Sequence, residues 1–525
     1  MKEHILSIVW LTPLVGMFIL FLLPKEKKQL IRWCANIIGF LGFLVSLPLV
    51  FWFDISVAEY QFVEKADWIP SLGVSYSLGL DGISLLLTML TTVVGFLSIL
   101  CSWSSIQERV KEYYAMFLLL QATMLAVFFA LDVFLFYVFW EIMLVPMYFI
   151  IGIWGGERRL YAAIKFFLYT LAGSVLMLLS MLALYYKHIE QFGFASFALD
   201  DLMKVTIISP DMQIWLFWGF FIAFAIKVPM FPVHTWLPDA HTEAPTAGSV
   251  ILAGILLKMG LYGMVRFSIP LFPGAATDDQ TVQIIAWLSI IAIVYGALVS
   301  LMQKDWKKLV AYSSVSHLGF CTLGIIALNP NGIAGGLLQG INHGISTPLL
   351  FLVVGIVYER RHTRAIAEYG GLANRMPIYT VIFGIAMLAS AGMPGLNGFI
   401  GEFTILRGAF EKNVYWAGFA VLGIVLGAAY LLWLFQRTML GPITNPKNEK
   451  LSDMNLREIC VTVPLVLWCF WIGLYPKPYF DILDKPVAKI VERVDPDYFS
   501  RNDLLNPLDV SKTVAQLTGS DVGKP

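Results

Sequence analysis

The sequence predicts an all-α polytopic membrane protein of about 14 transmembrane helices, with two inverted five-helix repeats that each contain a broken helix. Three observations carry this reading. Charges are too few for a soluble surface, the connections alternate in charge, and ionisable residues sit inside apolar runs that proline and glycine interrupt. Of 525 residues, 58% are hydrophobic and 14% charged, with a mean hydropathy of +0.74. Soluble domains carry about 25% charged residues, so the natural solvent of this chain is the lipid bilayer. A formal net charge of zero gives no basic surface for a nucleic-acid partner. Cys34, Cys101, Cys321, Cys460 and Cys469 are scattered without a CxxC pair, which argues against a cluster, structural zinc or disulfide framework and predicts buried, inert thiols.

The first apolar run, Ile5 to Leu23, has no basic region before it and no small-residue cleavage site after it. It reads as a retained helix and not a signal peptide. A bilayer core needs about 20 apolar residues per helix. Such runs start near residues 5, 31, 80, 113, 132, 161, 213, 246, 281, 309, 333, 378, 414 and 456. Connections after odd-numbered spans are basic, among them Lys25, Lys27, Arg109, Arg158, Lys304, Lys307, Arg364 and Lys447, whereas the others hold few cations. The positive-inside rule then puts the basic connections in the cytoplasm and both termini outside. The tail from Pro476 is polar, of mixed charge, and expected on the outer surface.

Four charges interrupt the apolar runs: Glu141, Lys227, Lys258 and Glu402. Helix rise puts Glu141 about 13 Å beyond Asp132, near the midplane. A charge there costs at least about 2.5 kcal/mol, more than packing alone justifies. Snorkelling to the headgroups suits Lys165 and Arg266, which lie near span ends, and suits Lys227 and Lys258 poorly. An ion pair between Glu141 and Lys227 is expected and is compatible with function. Two spans are also broken. Lys227 precedes Pro229 and Pro232, and Gly392-Met-Pro394-Gly395-Leu-Asn-Gly398 precedes Glu402. Proline frees backbone carbonyls, and free backbone groups persist in a membrane only inside protein or beside water. No strand precedes the glycines, so a nucleotide loop is a poor reading.

The two breaks match in position. With spans four to eight as one unit and nine to thirteen as another, the broken helix is fourth in each, and the second member carries Glu141 in one and His317 in the other. Five spans per unit force opposite topologies, the pattern of an inverted repeat in ion-coupled transporters. The expected division is 1–110 for helices one to three, 111–270 and 271–440 for the repeats, and 441–525 for the last helix and tail.

The runs FLFYVFWEIMLVPMYFIIGIWGG, VPMFPVHTWLPDAHTEAPTAGSVILAGILLKMGLYG and GMPGLNGFIGEF resemble the proton-translocating antiporter-like subunits of NADH–quinone oxidoreductase, respiratory complex I. The resemblance covers spans three to fourteen and is greatest to the M-type class, the counterpart of mitochondrial chain 4. It implies a Glu in helix five, Lys in broken helix seven, Lys in helix eight and an ionisable group in broken helix twelve, which fall on Glu141, Lys227, Lys258 and Glu402. L- and N-type chains have Lys at the last position, and the M-type has Glu. Related chains often read NHAxxK where this one has Asn342 and His343 with Thr347 at the Lys slot, which leaves His343 as the candidate there.

The resemblance implies proton transfer in a bacterial inner membrane, with L- and N-type antiporter-like subunits as partners. The chain shows no flavin, nicotinamide or iron–sulfur site of its own, so NADH, flavin, clusters and quinone are expected in other subunits. A lysine taken out of water gives up its proton more readily, and a nearby carboxylate restores the charged form. Changing the charge beside Lys227 would therefore load or unload it. Lys258 would pass the proton through His317, His343 and ordered water to Glu402, unless Glu402 is structural, as a helix cap or a partner of a cation. A membrane potential opposes each charge by about 2.3 kcal/mol per 100 mV, comparable to a shift of about two pKa units. His234, Asp239, His241 and Glu243 read as capping and loop packing at the mouth of the path, not as a metal centre, and Trp236 as an interfacial anchor. Two alternatives remain: a D-type chain of a multisubunit sodium/proton antiporter, against which Glu402 counts, and a photosynthetic or ferredoxin-linked homologue.

Overall fold

The structure, a computed structural model, describes residues 2–501. Helices follow every apolar run, and among the described residues 12 are long and apolar enough to cross a membrane. They are α1 (Ile5–Leu22), α2 (Lys28–Trp52), α3 (Gly82–Ser105), α4 (Val110–Phe129), α5 (Val133–Trp154) and α6 (Arg159–Phe192). After the broken seventh span come α8 (Thr246–Leu271), α9 (Asp279–Leu301), α10 (Trp306–Ile326) and α11 (Pro330–Arg361), then α13 (Val414–Met439) and α14 (Leu456–Leu474). The two remaining spans are the broken ones. The seventh is α7a (Pro210–Lys227) and α7b (Trp236–Glu243), and the twelfth α12a (Pro377–Ser390) and α12b (Asn397–Lys412).

Local sequence sets the helix starts, where backbone N–H groups lack partners. The Asp81 side chain accepts from Ser84 N at the start of α3, Asp305 from Lys308 N at α10, and Asn329 from Gly332 N at α11. Asn455 and Glu458 form a capping box at α14. Asp132 accepts from Phe134 N, Leu135 N and Ser75 N, and is fully buried. Pro146 cannot donate to the carbonyl four residues back, and α5 has an irregular turn at Met143, just beyond Glu141.

Burial sorts the helices into centre and rim. The most apolar stretches of α8 and α11 are 100% buried, against 33% for α13. The two helices that carry Lys258 and His343 therefore form the centre. Helix α8 is irregular around Lys258: Leu252–Leu256 and Met264–Ser268 wind as π-helix on either side, a deformation frequent at functional sites. Gly260 lets α8 lie against α7a, because a Cβ there would stand 2.7 Å from the Phe224 carbonyl oxygen.

The basic connections gather at one end. Lys111 Nζ donates to the Phe21 and Leu23 carbonyls at 2.8 Å each, and Gly156 N to the Glu243 carbonyl at 2.9 Å. At the opposite end lies an antiparallel hairpin of β1 (Gln61–Ile69) and β2 (Val74–Leu80), turned at Gly73, whose φ is +67°. Leu6 N and Ser7 N, at the start of α1, donate to Glu64 on this hairpin. The tail expectation gains detail: α15 (Lys477–Val494) packs Tyr479, Leu483, Val487 and Val491 inward at the hairpin end, where Arg493 donates to the Pro270 carbonyl. The tail beyond residue 501 lies outside the described residues.

Four expectations are corrected. Arg266 does not snorkel. It is buried in an ion pair with Asp81 at 2.6 Å, and it donates to Tyr60, Tyr262 and Ser84. Lys165 is likewise held, by Asp239 at 2.7 Å. Trp236 is fully buried, far from an interfacial anchor. Of the cysteines, Cys321 and Cys469 are buried, Cys34 and Cys101 are partly covered and Cys460 is exposed.

Candidate functional site: a buried line of ionisable side chains

Lys227 is the last residue of α7a and is fully buried. Its ammonium faces two rings, Trp140 at 5.3 Å and Phe166 at 5.4 Å, and donates to Met143 Sδ at 3.5 Å. Among the described residues it makes no ion pair, so the expected Glu141–Lys227 bridge is not formed. Glu141 is close enough to couple electrostatically, with Ser174 as its polar neighbour, and its Oε1 has no protein partner. The physical reason is where the groups point: Glu141 lies on the partly exposed face of α5, whereas Lys227 turns inward among aromatic rings.

After Lys227 the chain leaves helical form through residues 228–235 before α7b begins. The loose carbonyls find specific partners. Met230 N donates to the Ala225 carbonyl at 2.7 Å, and the Trp236 indole to the Ile226 carbonyl at 2.8 Å. At its far end α7b is capped by two cations from the second unit. Lys307 donates to the Ala244 carbonyl at 2.5 Å and Arg364 to the Thr242 carbonyl at 2.6 Å. Positive charge at a helix C-terminus is favourable, and here it ties the two units together. His241 therefore sits in a helix and not in a loop, whereas His234 lies in the turns of the break. His241 is buried, stacks on Phe351 at 4.6 Å and 17°, and has neither ring nitrogen bonded to protein. Glu243 does not cap the start of α8 as expected: it ends α7b and accepts from Arg158 N at 3.0 Å, beside the start of α6.

The remaining predicted residues form a line through the centre. Lys258 Nζ bonds the Ala253 carbonyl at 2.5 Å and His343 Nδ1 at 2.6 Å. The His343 and His317 rings lie 6.1 Å apart without a mutual hydrogen bond. His317 Nδ1 is 3.1 Å from Glu402 Oε1, and its Nε2 is 3.3 Å from the Tyr430 hydroxyl. Gln339 Nε2 donates to the same Glu402 oxygen at 3.2 Å. Four of the six predicted residues thus fall into one line with a gap between the imidazoles, and Glu141 and Lys227 stand apart from it, coupled only electrostatically.

The second break positions the end of this line. Gly392 has φ +75°, and a Cβ there would stand 2.6 Å from Glu402 Oε2, so the backbone must approach the carboxyl bare. Asn342 donates to the Asn397 carbonyl at 2.7 Å and Asn397 to the Asn342 carbonyl at 3.1 Å, a reciprocal clasp between α11 and the start of α12b. Glu402 lies in the second turn of α12b and caps nothing. Thr347, at the Lys slot, is buried beside this line without charge.

Gln339 and Tyr430 also join this line and were not singled out for it, whereas His241 and Lys307 lie near it without a hydrogen bond to it. Only the polar residues GLLQGINHG in an otherwise apolar run could have flagged Gln339. Among the described residues no three His, Cys, Asp or Glu side chains gather as a metal centre requires. Lys258, His343, His317 and Glu402 are titratable and can pass protons within two hydrogen-bonded pairs, Lys258–His343 and His317–Glu402, with the imidazole gap between them.

Two broken helices, each delivering a charge to the centre of a helical bundle, define a membrane ion-translocating subunit. The chain belongs to the NADH:quinone oxidoreductase/Mrp antiporter transmembrane family, whose model matches residues 130–427. It is 46% identical over 506 residues to NADH-quinone oxidoreductase subunit M of Rhodobacter capsulatus, covering 94% of this chain and 98% of the relative. It is 45% identical to NADH-ubiquinone oxidoreductase chain 4 of Arabidopsis thaliana over 93% of this chain and 97% of the relative. Among solved structures, a chain of respiratory complex I from Thermus thermophilus with bound NADH superposes with a TM-score of 0.83 at 32% identity, covering 93% of this chain and 99% of that one.

Proposed function

We propose that this chain carries protons across the membrane as an M-type, chain 4-class subunit of NADH:quinone oxidoreductase, with Lys227 as the switch and Lys258, His343, His317 and Glu402 as the conducting line. The observation that carries the reading is the alignment of two hydrogen-bonded pairs, Lys258–His343 and His317–Glu402, whose imidazoles face each other at 6.1 Å in the centre of the bundle. Charge at Glu141 decides whether Lys227 holds its proton. A proton on Lys258 passes to His343 Nδ1, crosses to His317 and reaches Glu402, which faces the second break. The redox energy comes from elsewhere. This chain binds no NADH, flavin, cluster or quinone in this reading, and its partners are the other membrane-arm subunits, the L- and N-type chains among them. The basic connections face the cytoplasm of a bacterial inner membrane, and the hairpin and both termini face outward.

The family model spans Mrp antiporters as well, so the second reading is a sodium/proton antiporter chain. Glu402, the names of the relatives and 98% coverage of one of them favour the first. Copurification with the tagged chain decides between them. Flavoprotein and iron–sulfur subunits in the eluate, with NADH-driven acidification of sealed vesicles, support the redox complex. A set of small antiporter subunits without flavin overturns it.

A further inference from the structure

On the rim of the bundle, at the end with the basic connections, a groove of about 910 Å³ runs between α2, α3, the end of α11 and the start of α14. That volume lies in the range of ligand sites, about 300–1,000 Å³. Its walls are aromatic and apolar. Trp33 meets Trp103 edge-on with centroids 5.0 Å apart, and Phe40 meets Phe96 at 5.4 Å. Trp33 and Ile37 are 59% and 61% exposed, so the groove opens sideways to the surroundings of the bundle.

Four charged groups at its head are in different states. Arg360 is matched, donating to both Glu458 oxygens at 2.8 Å. Glu359 accepts a single hydrogen bond, from Ser104 at 3.2 Å, and on one oxygen only. Arg457 has neither hydrogen bond nor ion pair to a described residue, although it is near enough to Glu359 to feel its charge. The head therefore offers a free guanidinium beside a half-used carboxylate, above an apolar trough. A neutral amphiphile would leave both unmatched. A purely anionic one would satisfy Arg457 and be repelled by Glu359.

We propose that the groove is a binding site for one zwitterionic phospholipid of the phosphatidylethanolamine class. Its phosphate takes Arg457 through charge-assisted hydrogen bonds, its primary ammonium takes the free oxygen of Glu359, and an acyl chain lies along Ile37, Phe40 and Phe96. Behind the head, a pocket of about 20 Å³, room for one water, reaches from Glu359 and Arg457 to Thr246 at the start of α8. The bound headgroup closes that pocket on its membrane side.

The test uses the intact complex in vesicles doped with phosphatidylethanolamine or phosphatidylglycerol carrying a photoreactive acyl chain, with crosslinked peptides mapped. Phosphatidylethanolamine is expected to label α2 and α3 peptides above the exposed rim helix α13. Arg457→Ala should lower labelling by both lipids about tenfold, the loss of one hydrogen-bonded charge. Glu359→Gln should lower labelling by phosphatidylethanolamine alone, because phosphatidylglycerol has no ammonium. Ile37→Trp fills the trough away from the head and should block both lipids, which keeps the test open if the Arg457 variant does not assemble. Labelling that is unchanged in Arg457→Ala or in Ile37→Trp overturns the proposal. So does an equal effect of Glu359→Gln on the two lipids, or a neighbouring subunit's helix crosslinked in the groove.

Discussion

Lys227 and Lys258 are both buried lysines on neighbouring helices, yet their surroundings differ in kind. Lys227 faces two aromatic rings and a thioether, with no hydrogen bond to a carbonyl, imidazole or carboxylate among the described residues. Lys258 is bonded to a carbonyl and to an imidazole that continues the line. Rings stabilise a cation without accepting its proton, so Lys227 can hold charge but has nowhere to pass it in this geometry. Lys258 has an acceptor in place. In the proposed function this difference corresponds to two tasks, a switch set by the charge at Glu141 and a wire leading to Glu402.

On that separation the switch is the more vulnerable. Lys227→Ala or Glu141→Ala should abolish proton pumping and coupled quinone reduction in an assembled complex, a loss of about 10²-fold or more, as for removal of a positioned proton-transfer group. Glu141→Asp should keep part of the activity, since charge survives at shorter reach. Near-normal acidification of vesicles by assembled Glu141→Ala complex would remove Glu141 from the switch. Next comes the wire. Lys258→Ala should cut pumping at least about tenfold. Lys258→Arg should also impair it, because a guanidinium does not give up its proton. His343→Ala and His317→Ala should be milder, as water can stand in for an imidazole. Full pumping in Lys258→Ala would mean that the line is not a path.

Glu402 tests what the wire ends on. Gln fits the site: it keeps an oxygen for Gln339 Nε2 and for His317, and adds no volume beside Gly392. Glu402→Gln should therefore assemble normally and lose most proton transfer, and Glu402→Asp should retain some. Wild-type acidification by the Gln variant would leave Glu402 a structural residue.

Much of this was legible in the sequence because lipid makes simple demands. Apolar runs of bilayer length gave the spans, and alternating charge sorted the connections between two ends of the bundle. Charges that lipid disfavours marked Glu141, Lys227, Lys258 and Glu402. What stayed hidden depends on long-range placement. Lys258 and His343 are 85 residues apart, and no spacing rule joins them. Arg266 looked like a snorkelling end residue because its partner Asp81 comes from α3. The hairpin was missed because β1 is mostly exposed and shows no clean alternation of burial. Trp236 read as a belt anchor because indoles favour interfaces, whereas a broken helix nearby offered its N–H a better partner.

That indole supports the switch from behind and gives the smallest expected effect. Its N–H satisfies the Ile226 carbonyl, one residue before Lys227, at 2.8 Å inside a fully buried site. Trp236→Phe keeps most of the apolar contact with Phe166 but leaves that carbonyl without its donor. An unsatisfied buried acceptor costs about 1–3 kcal/mol, a loss that should appear as a lower melting temperature and less assembled complex. Pumping per assembled complex should stay near wild type, because Trp236 touches neither the Lys227 ammonium nor the line from Lys258. A Trp236→Phe complex that assembles fully but pumps poorly would show that the break conducts through its backbone carbonyls. The division between switch and wire would then have to be redrawn at Ile226.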